Sequence, residues 1–111
     1  MSAPLRLICL CAEWCGTCRD WRPVFDDLAR RHPDVALHWV DIEDDAELLD
    51  DSPLDVQTFP TVLIAAGDMV LFCGPVKPFA TEVERLLRAV SQPTGQSSYP
   101  PLSSLLPHWR A

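Results

Sequence analysis

Two cysteines separated by two residues follow directly on a short apolar run, and no other feature constrains the fold of this chain as strongly. The pair, Cys15 and Cys18, lies in the segment EWCGTCRDW. The preceding residues 5–12, LRLICLCA, have the length and composition of a buried strand. An amphipathic helical pattern begins near Gly16. The sequence therefore predicts a buried strand followed by a helix whose first turn carries both cysteines.

The rest of the pattern predicts a second strand, a hairpin and a final helix. Residues 35–42 read as a strand, and residues 61–74 read as two apolar runs around a turn at 67–68. Thr81 and Glu84 fit a capping box at the start of the final helix. A right-handed crossover makes the first two strands parallel neighbours. The expected fold is α/β, with a four-stranded mixed sheet and helices on both faces.

The composition changes near Ser91, where the chain becomes rich in serine and proline. Its 111 residues suffice for one domain, so we expect a domain at 1–90 and a tail at 91–111 without regular structure. Docking of the tail's apolar residues on the domain or on a second chain is the alternative. These residues are Tyr99, Leu102, Leu105, Leu106 and Trp109.

The net charge and the lengths of the apolar runs limit the classes of partner and the location that we expect. The formal net charge is −7 and no basic patch is visible, which argues against nucleic acid as a partner. No apolar run is long enough to span a bilayer, and no targeting segment is recognisable. We therefore expect a cytoplasmic protein without membrane attachment. In the cytoplasm, cysteine pairs usually indicate metal binding or redox chemistry.

The cysteine pair has a metal-binding, a structural and a redox interpretation. A zinc site needs four ligands, but there is no second such pair, and His32, His38 and His108 are scattered, so we expect no metal. A disulfide that closes so short a loop adds little stability. A helix start favours a thiolate, so Cys15 should ionise easily and attack a partner disulfide, and Cys18 should resolve the product. Two unreactive core cysteines remain the plain alternative.

The chain carries the segment AEWCGTC at 12–18, Pro23, the segment FPT at 59–61 and Gly74. Together these features resemble the thioredoxin family. The segment AEWCGTC is similar to the family's A-x-W-C-G-P-C motif, with threonine in place of proline. Pro23 stands five residues after Cys18, where the family has a helix-kinking proline. The FPT segment at 59–61 resembles the family's cis-proline loop, and Gly74 matches a glycine beside the substrate groove. The resemblance covers roughly residues 5–90.

This resemblance implies a protein-disulfide oxidoreductase that works through the CGTC motif, with Cys15 and Cys18 as the catalytic residues. It implies no bound cofactor, because the thiols carry the electrons. The partners would be a disulfide-containing client protein and a thioredoxin-reductase-type electron donor. A cis bond before Pro60 would place the main chain of Phe59 beside the sulfurs. The expected substrate-binding residues are Trp14, Gly16, Thr17, Phe59, Pro60 and Gly74.

The chain also departs from the family pattern. It enters almost directly at the central strand, which implies a version of the fold trimmed at its start. Cys9 stands where the family usually buries an aspartate, and Trp39 where a lysine often accompanies it. The usual proton relay is therefore expected to be missing, and resolution of mixed disulfides to be slow. A thioredoxin-like binding or assembly module, with a regulatory or vestigial disulfide, is the alternative function.

The remaining cysteines have less definite interpretations. Cys9 and Cys11 alternate along one strand and should share a face, most simply as small buried hydrophobes. Cys73 precedes Gly74 near the expected groove, either as a spectator or as an accessory thiol that captures a partner.

Overall fold

A computed structural model describes residues 5–12, 14–54, 56–90 and 99–109. Its elements follow the predicted order, with two short helical segments in addition. They are β1 (Leu5–Cys11), α1 (Gly16–Arg31), β2 (Ala36–Asp41), a 3₁₀ turn (Ala46–Leu49), β3 (Thr61–Ala66), β4 (Met69–Pro75), α2 (Ala80–Val90) and α3 (Leu102–Leu105).

The four strands form one mixed sheet in the order β2-β1-β3-β4. β1 pairs with β2 in parallel and with β3 antiparallel, and β3 pairs with β4 antiparallel. Two residues connect β3 to β4, and Gly67 takes a φ of 62°, a left-handed conformation that glycine adopts without steric cost. The predicted parallel pairing of the first two strands and the predicted hairpin are thus confirmed. β1 runs through the middle of the sheet, and its last five residues are buried.

One face of the sheet is covered by both long helices. Trp21, Phe25 and Leu28 of α1 are buried there, beside Val83 and Leu87 of α2. They pack on the side chains of β1 and β3 that alternate toward the helices. The predicted stripe of α1 is therefore the face that positions this helix, and its first turn, against the end of β1.

The predicted capping box of the final helix is wrong. α2 begins at Ala80, so Thr81 lies inside it. The carboxylate of Glu84 instead faces α1, where it accepts a hydrogen bond from Arg31 at 3.2 Å and lies 2.9 Å from Nε2 of His32. Glu84 thus serves the contact between the two helices, which a local sequence pattern does not reveal.

The opposite face of the sheet is covered by α3 and the residues that follow it. Leu102, Leu105 and Leu106 are buried against a cluster that includes Ile8 and Leu63. The expectation of no regular structure is therefore wrong for residues 102–105, and the docking alternative holds in this structure. Residues 91–98, which include the predicted domain boundary, lie outside the described residues, as do residues 110 and 111.

Hydrogen bonds hold α3 in place at both of its ends. The main-chain N–H of Leu102 donates to the carbonyl of Asp68 at 2.8 Å. The N–H and hydroxyl of Ser103 donate to the Asp68 carboxylate at 2.8 and 3.0 Å. The hydroxyl of Ser52 donates to the carbonyl of Leu105. These bonds complete a fold with helices on both faces, and no helix in the described ranges is long and apolar enough to cross a bilayer.

Candidate functional site

The end of β1 and the start of α1 bring three cysteines together. Cys15 is the N-cap residue of α1, its side chain makes no capping hydrogen bond, and it is partly exposed. Its N–H donates to the carbonyl of Ala12 at 3.0 Å, which turns the chain back over the strand end. Cys18, one turn inside α1, is fully buried, as is Cys11, the last residue of β1.

The structure joins Cys18 to Cys11 in a disulfide, whereas the sequence suggested Cys15 as its partner. The two bonded residues have Cα atoms 5.8 Å apart, within the usual range for disulfides. Cys15 remains a free thiol. The physical reason is that Cys11 faces the side of the sheet covered by α1, directly beneath the first turn of that helix.

Sequence reasoning missed this role of Cys11. The alternation along β1 correctly placed Cys9 and Cys11 on one face, and both belong to the cluster beneath α1 and α2. Cys9 remains free and buried, which fits its interpretation as a small hydrophobe. The available signal was position: Cys11 ends the strand that leads into the helix carrying Cys18, so the turn folds the two together.

Two aromatic rings form a rim beside Cys15. The ring of Trp14 lies edge-on to the ring of Phe59, with 5.7 Å between centroids. The Phe59–Pro60 bond is cis, as predicted. Pro60 is buried, and its carbonyl accepts the N–H of Val76 at 3.0 Å, which holds the end of β4 beside this loop. Three separate segments therefore meet at the site.

The smaller residues predicted for substrate binding lie on the first turn of α1 and near the end of β4. Gly16 and Thr17 are exposed on the first turn of α1. A Cβ atom added to Gly16 would meet no atom within 4 Å, so no packing in the structure requires a glycine there. Gly74 pairs with Val62 near the end of β4, two residues before the Val76 contact. The predicted set is thus distributed over the start of α1 and the facing loop and strand end.

Cys73 lies on the opposite face of the sheet from Cys11 and Cys18. It is partly buried against the cluster that α3 covers. Burial raises the pKa of the Cys73 thiol. The structure therefore does not bring Cys73 to the other cysteines, although it borders a small cavity of about 230 Å³ together with Gly74.

The positions of the family's aspartate and lysine hold a thiol and an indole in this chain. Cys9 and Trp39 are paired across β1 and β2. The guanidinium of Arg22 lies 4.6 Å from the ring centroid of Trp39. Burial raises the pKa of the Cys9 thiol to about 12. Cys9 therefore keeps its proton at neutral pH and cannot act there as a carboxylate would.

A cavity of about 470 Å³ adjoins Cys18 and has charged walls. Arg19 and Arg22 contribute positive charge, and three aspartates contribute negative charge. These aspartates are Asp41, Asp44 and Asp45. The carboxylate of Asp41 accepts the N–H of Asp44 at 3.1 Å and so shapes the loop after β2. Within the ranges that the structure describes, no group of three His, Cys, Asp or Glu side chains is arranged so that it could hold a metal ion.

A buried strand, a cysteine pair at a helix start and a cis-proline loop on a four-stranded mixed sheet define a thioredoxin-fold protein. The thioredoxin family model matches residues 2–71. The chain therefore belongs to the thioredoxin family.

Curated relatives agree with this assignment over part of their length. The chain is 33% identical to "Putative thioredoxin 2" of Streptomyces coelicolor over 69 residues, covering 62% of this chain and 50% of that protein. It is 38% identical to "Thioredoxin H2-1" of Oryza sativa over 66 residues, covering 60% of this chain and 46% of that protein. The chain thus spans about half the length of these relatives.

Solved structures agree on the fold. Thioredoxin O1 from Arabidopsis thaliana in the oxidized state matches with a TM-score of 0.66 and 24% identity, over 81% of this chain and 80% of that one. Fasciola hepatica thioredoxin matches with a TM-score of 0.63 and 22% identity, over 79% of this chain and 82% of that one. At these identities the likeness concerns the fold alone.

Proposed function

We propose that this protein is a thiol–disulfide oxidoreductase that reduces disulfides in client proteins. The observation that carries the proposal is the placement of two cysteines on the first turn of α1. Cys15 is partly exposed at the N-cap, and Cys18 is fully buried one turn inside the helix. A helix start stabilises a thiolate, and a buried neighbouring thiol is suited to resolve what that thiolate captures.

The proposed reaction moves two electrons from the dithiol to the client. In the reduced protein, the Cys15 thiolate attacks one sulfur of the client disulfide. A mixed disulfide forms, and the first client thiolate leaves. Cys18 then loses its proton and attacks the sulfur of Cys15. The second client thiolate leaves and is protonated, and a Cys15–Cys18 disulfide remains.

The rim beside Cys15 is the proposed client-binding surface. Trp14 would supply apolar area, and the exposed Gly16 and Thr17 would let a client backbone approach α1. An extended client segment would pair with the main chain at Phe59, beside the buried Pro60. Gly74 would flank the same segment from β4.

The electron source and the location belong to the same proposal. The thiols carry the electrons, so no bound cofactor takes part. A thioredoxin-reductase-type donor would return the Cys15–Cys18 disulfide to the dithiol. A cytoplasmic location fits this role, because that compartment keeps thiols reduced.

The test is reduction of insulin by dithiothreitol in the presence of the protein. Cys15→Ser should abolish the acceleration, because the attacking sulfur is gone. Cys73→Ser is the matched control and should keep the wild-type rate, because Cys73 faces the other side of the sheet. Cys18→Ser should accumulate a mixed disulfide through Cys15, visible as an added mass. Activity of Cys15→Ser equal to wild type would refute the proposal.

A thioredoxin-like binding or assembly module is the second candidate. The Cys11–Cys18 disulfide favours it, because a bonded Cys18 cannot resolve a mixed disulfide. In that case the disulfide would be regulatory or vestigial, and the fold would only dock a partner. Wild type and Cys15→Ser would then both fail to accelerate insulin reduction.

A further inference from the structure

Cys11, Cys15 and Cys18 form a set in which one buried sulfur faces two potential partners. Cys18 is bonded to Cys11 in the structure, and its CxxC spacing places Cys15 within reach of the same sulfur. We propose that Cys11 is a third redox cysteine, and that the oxidised protein exchanges between a Cys15–Cys18 and a Cys11–Cys18 disulfide. This inference rests on the proposed oxidoreductase function and adds a residue to its reaction.

The backbone holds all three residues in place for this exchange. Cys11 is fixed by the sheet, where it pairs with Asp41 of β2 and its carbonyl accepts the N–H of Ile42 at 2.9 Å. Cys15 is fixed by its hydrogen bond to Ala12. The carbonyl of Cys15 also accepts the N–H of Arg19 within the first turn of α1, at 3.1 Å. The exchange therefore needs side-chain movement and no refolding.

The exchange needs no oxidant or reductant. The Cys11 thiol loses its proton and attacks the Cys18 sulfur of the Cys15–Cys18 disulfide. The bond between Cys15 and Cys18 breaks as the bond between Cys11 and Cys18 forms. Cys15 leaves as a thiolate and takes up a proton from solvent. One disulfide and one thiol are present before and after the step.

The other cysteines are poorly placed for this role. Cys9 shares the face of Cys11, but it lies two residues earlier on β1, roughly 7 Å further from the strand end. Its pKa of about 12 keeps it protonated. Cys73 is on the opposite face of the sheet. Among the described cysteines, Cys11 is thus the one whose sulfur already reaches Cys18.

The exchange would change what the oxidised protein can do. In the Cys15–Cys18 form, both catalytic sulfurs are occupied. In the Cys11–Cys18 form, Cys15 is again a free thiol at the exposed start of α1. Such a protein can capture a client disulfide through Cys15, with one client thiolate leaving. It then holds the client until the proposed thioredoxin-reductase-type donor supplies two electrons to the Cys11–Cys18 disulfide and frees Cys18 to attack the mixed disulfide. Cys11 would thereby set the balance between turnover and covalent retention of the client.

Disulfide mapping of the oxidised wild-type chain tests the exchange. The reduced protein is oxidised with one equivalent of diamide and quenched in acid, and its free thiols are blocked with N-ethylmaleimide. Cleavage after Trp14 then separates Cys11 from the other two cysteines. A Cys11–Cys18 disulfide links two peptides, whereas a Cys15–Cys18 disulfide stays within one. We expect both products, and finding either one alone would overturn the exchange.

Labelling of Cys15 in the oxidised protein gives an independent readout. Cys11→Ala should lower this labelling by about tenfold, because the oxidised chain can then form only the Cys15–Cys18 disulfide. Cys9→Ala is the matched control, a change of the same size on the same strand and face, and should leave the labelling unchanged. Equal labelling in Cys11→Ala and wild type would also overturn the exchange.

Insulin reduction by the same variants separates this inference from the proposed function. If Cys11→Ala is active and Cys15→Ser is not, the oxidoreductase function holds whatever the disulfide map shows. If neither wild type nor any variant is active, the oxidoreductase function fails, and the inference that rests on it fails as well. The wild-type map requires no substitution, so a Cys11→Ala chain that does not fold leaves the test intact.

Discussion

The ring of Trp14 stands edge-on to the ring of Phe59, with an angle of 89° between their planes. The two residues come from separate parts of the chain, one before α1 and the other before β3. Phe59 is partly buried against the core, whereas 60% of Trp14 is exposed. Trp14 therefore contributes little to the core and is free to contact another molecule.

Replacing Trp14 with alanine should weaken client reduction more than it weakens the fold. The exposed apolar area that the indole would offer a client is lost, and a loss of about 1.4 kcal/mol in client binding corresponds to a fall of up to about tenfold in kcat/KM for insulin. Trp14→Phe keeps a ring and should retain most of the rate. Urea denaturation should show a change below about 1 kcal/mol for both variants. An unchanged kcat/KM in Trp14→Ala would remove this residue from the client surface.

Resolution of the mixed disulfide should be slow in this protein. Cys9 keeps its proton at neutral pH and Trp39 has no basic group, so water or another side chain must take the proton of Cys18. Stopped-flow measurement of client release should give a lower rate at pH 7 than for a thioredoxin that has the aspartate and lysine. A rate as high as that of such a thioredoxin would contradict this account.

The Cys9 thiol should make stability depend on pH in the alkaline range. Its pKa is about 12 in the folded protein and near 9.0 when unfolded. Only the unfolded chain loses the proton above pH 9, so the contribution is intact below that pH and is lost as the pH rises toward 12. The free energy of unfolding should fall by about 1 kcal/mol by pH 10 from this group alone. Urea titrations of Cys9→Ala should show a smaller decline than those of wild type.

The docked segment at 99–109 should contribute to global stability. Leu106 is 1% exposed, and its replacement with alanine should lower the free energy of unfolding by about 2–4 kcal/mol. Ser104→Ala is the matched control on α3, because Ser104 is exposed, and its effect should stay within about 0.5 kcal/mol. Equal stability of the two variants would mean that this segment does not complete the core.

Acid should loosen the contact between His38 and Trp109, whose ring centroids lie 5.0 Å apart. Burial, and to a lesser extent Arg6, lowers the pKa of His38 in the folded protein. The unfolded chain binds this proton first, near pH 6.5, so stability is intact above that pH and falls as the pH drops toward the folded pKa. His38→Phe keeps a ring and cannot take up the proton. It should remove this part of the pH dependence, followed by urea denaturation and by the NMR signal of the Trp109 indole.

Much of the fold could be predicted because its signals are local. The apolar run that forms β1 and the helical stripe of α1 depend on neighbouring residues only, as does the two-residue turn at Gly67. The predicted capping box is wrong because the Glu84 carboxylate contacts Arg31, the last residue of α1, and His32, which caps that helix. The short helix α3 was not predicted, because the burial of its leucines depends on a sheet face whose residues are distant in the sequence.

The candidate site divides in the same way. The placement of Cys15 and Cys18 at the helix start, and the cis bond before Pro60, followed from short motifs. The contact between Cys11 and Cys18 did not, because it depends on how the end of a strand packs beneath a helix. Alternation along β1 predicted the correct face for Cys11, but it could not predict how close the Cys11 sulfur lies to that of Cys18.

The bonds from Leu102 and Ser103 to Asp68 carry a practical consequence for comparing related chains. An Asn-Gly turn would also close this hairpin, but it would place no carboxylate at the start of α3. The carboxylate at this turn therefore bonds Ser103, which lies 35 residues further along the chain. A survey of related chains could use this aspartate, together with Leu105 and Leu106, as a marker for chains that pack a comparable segment across their sheet.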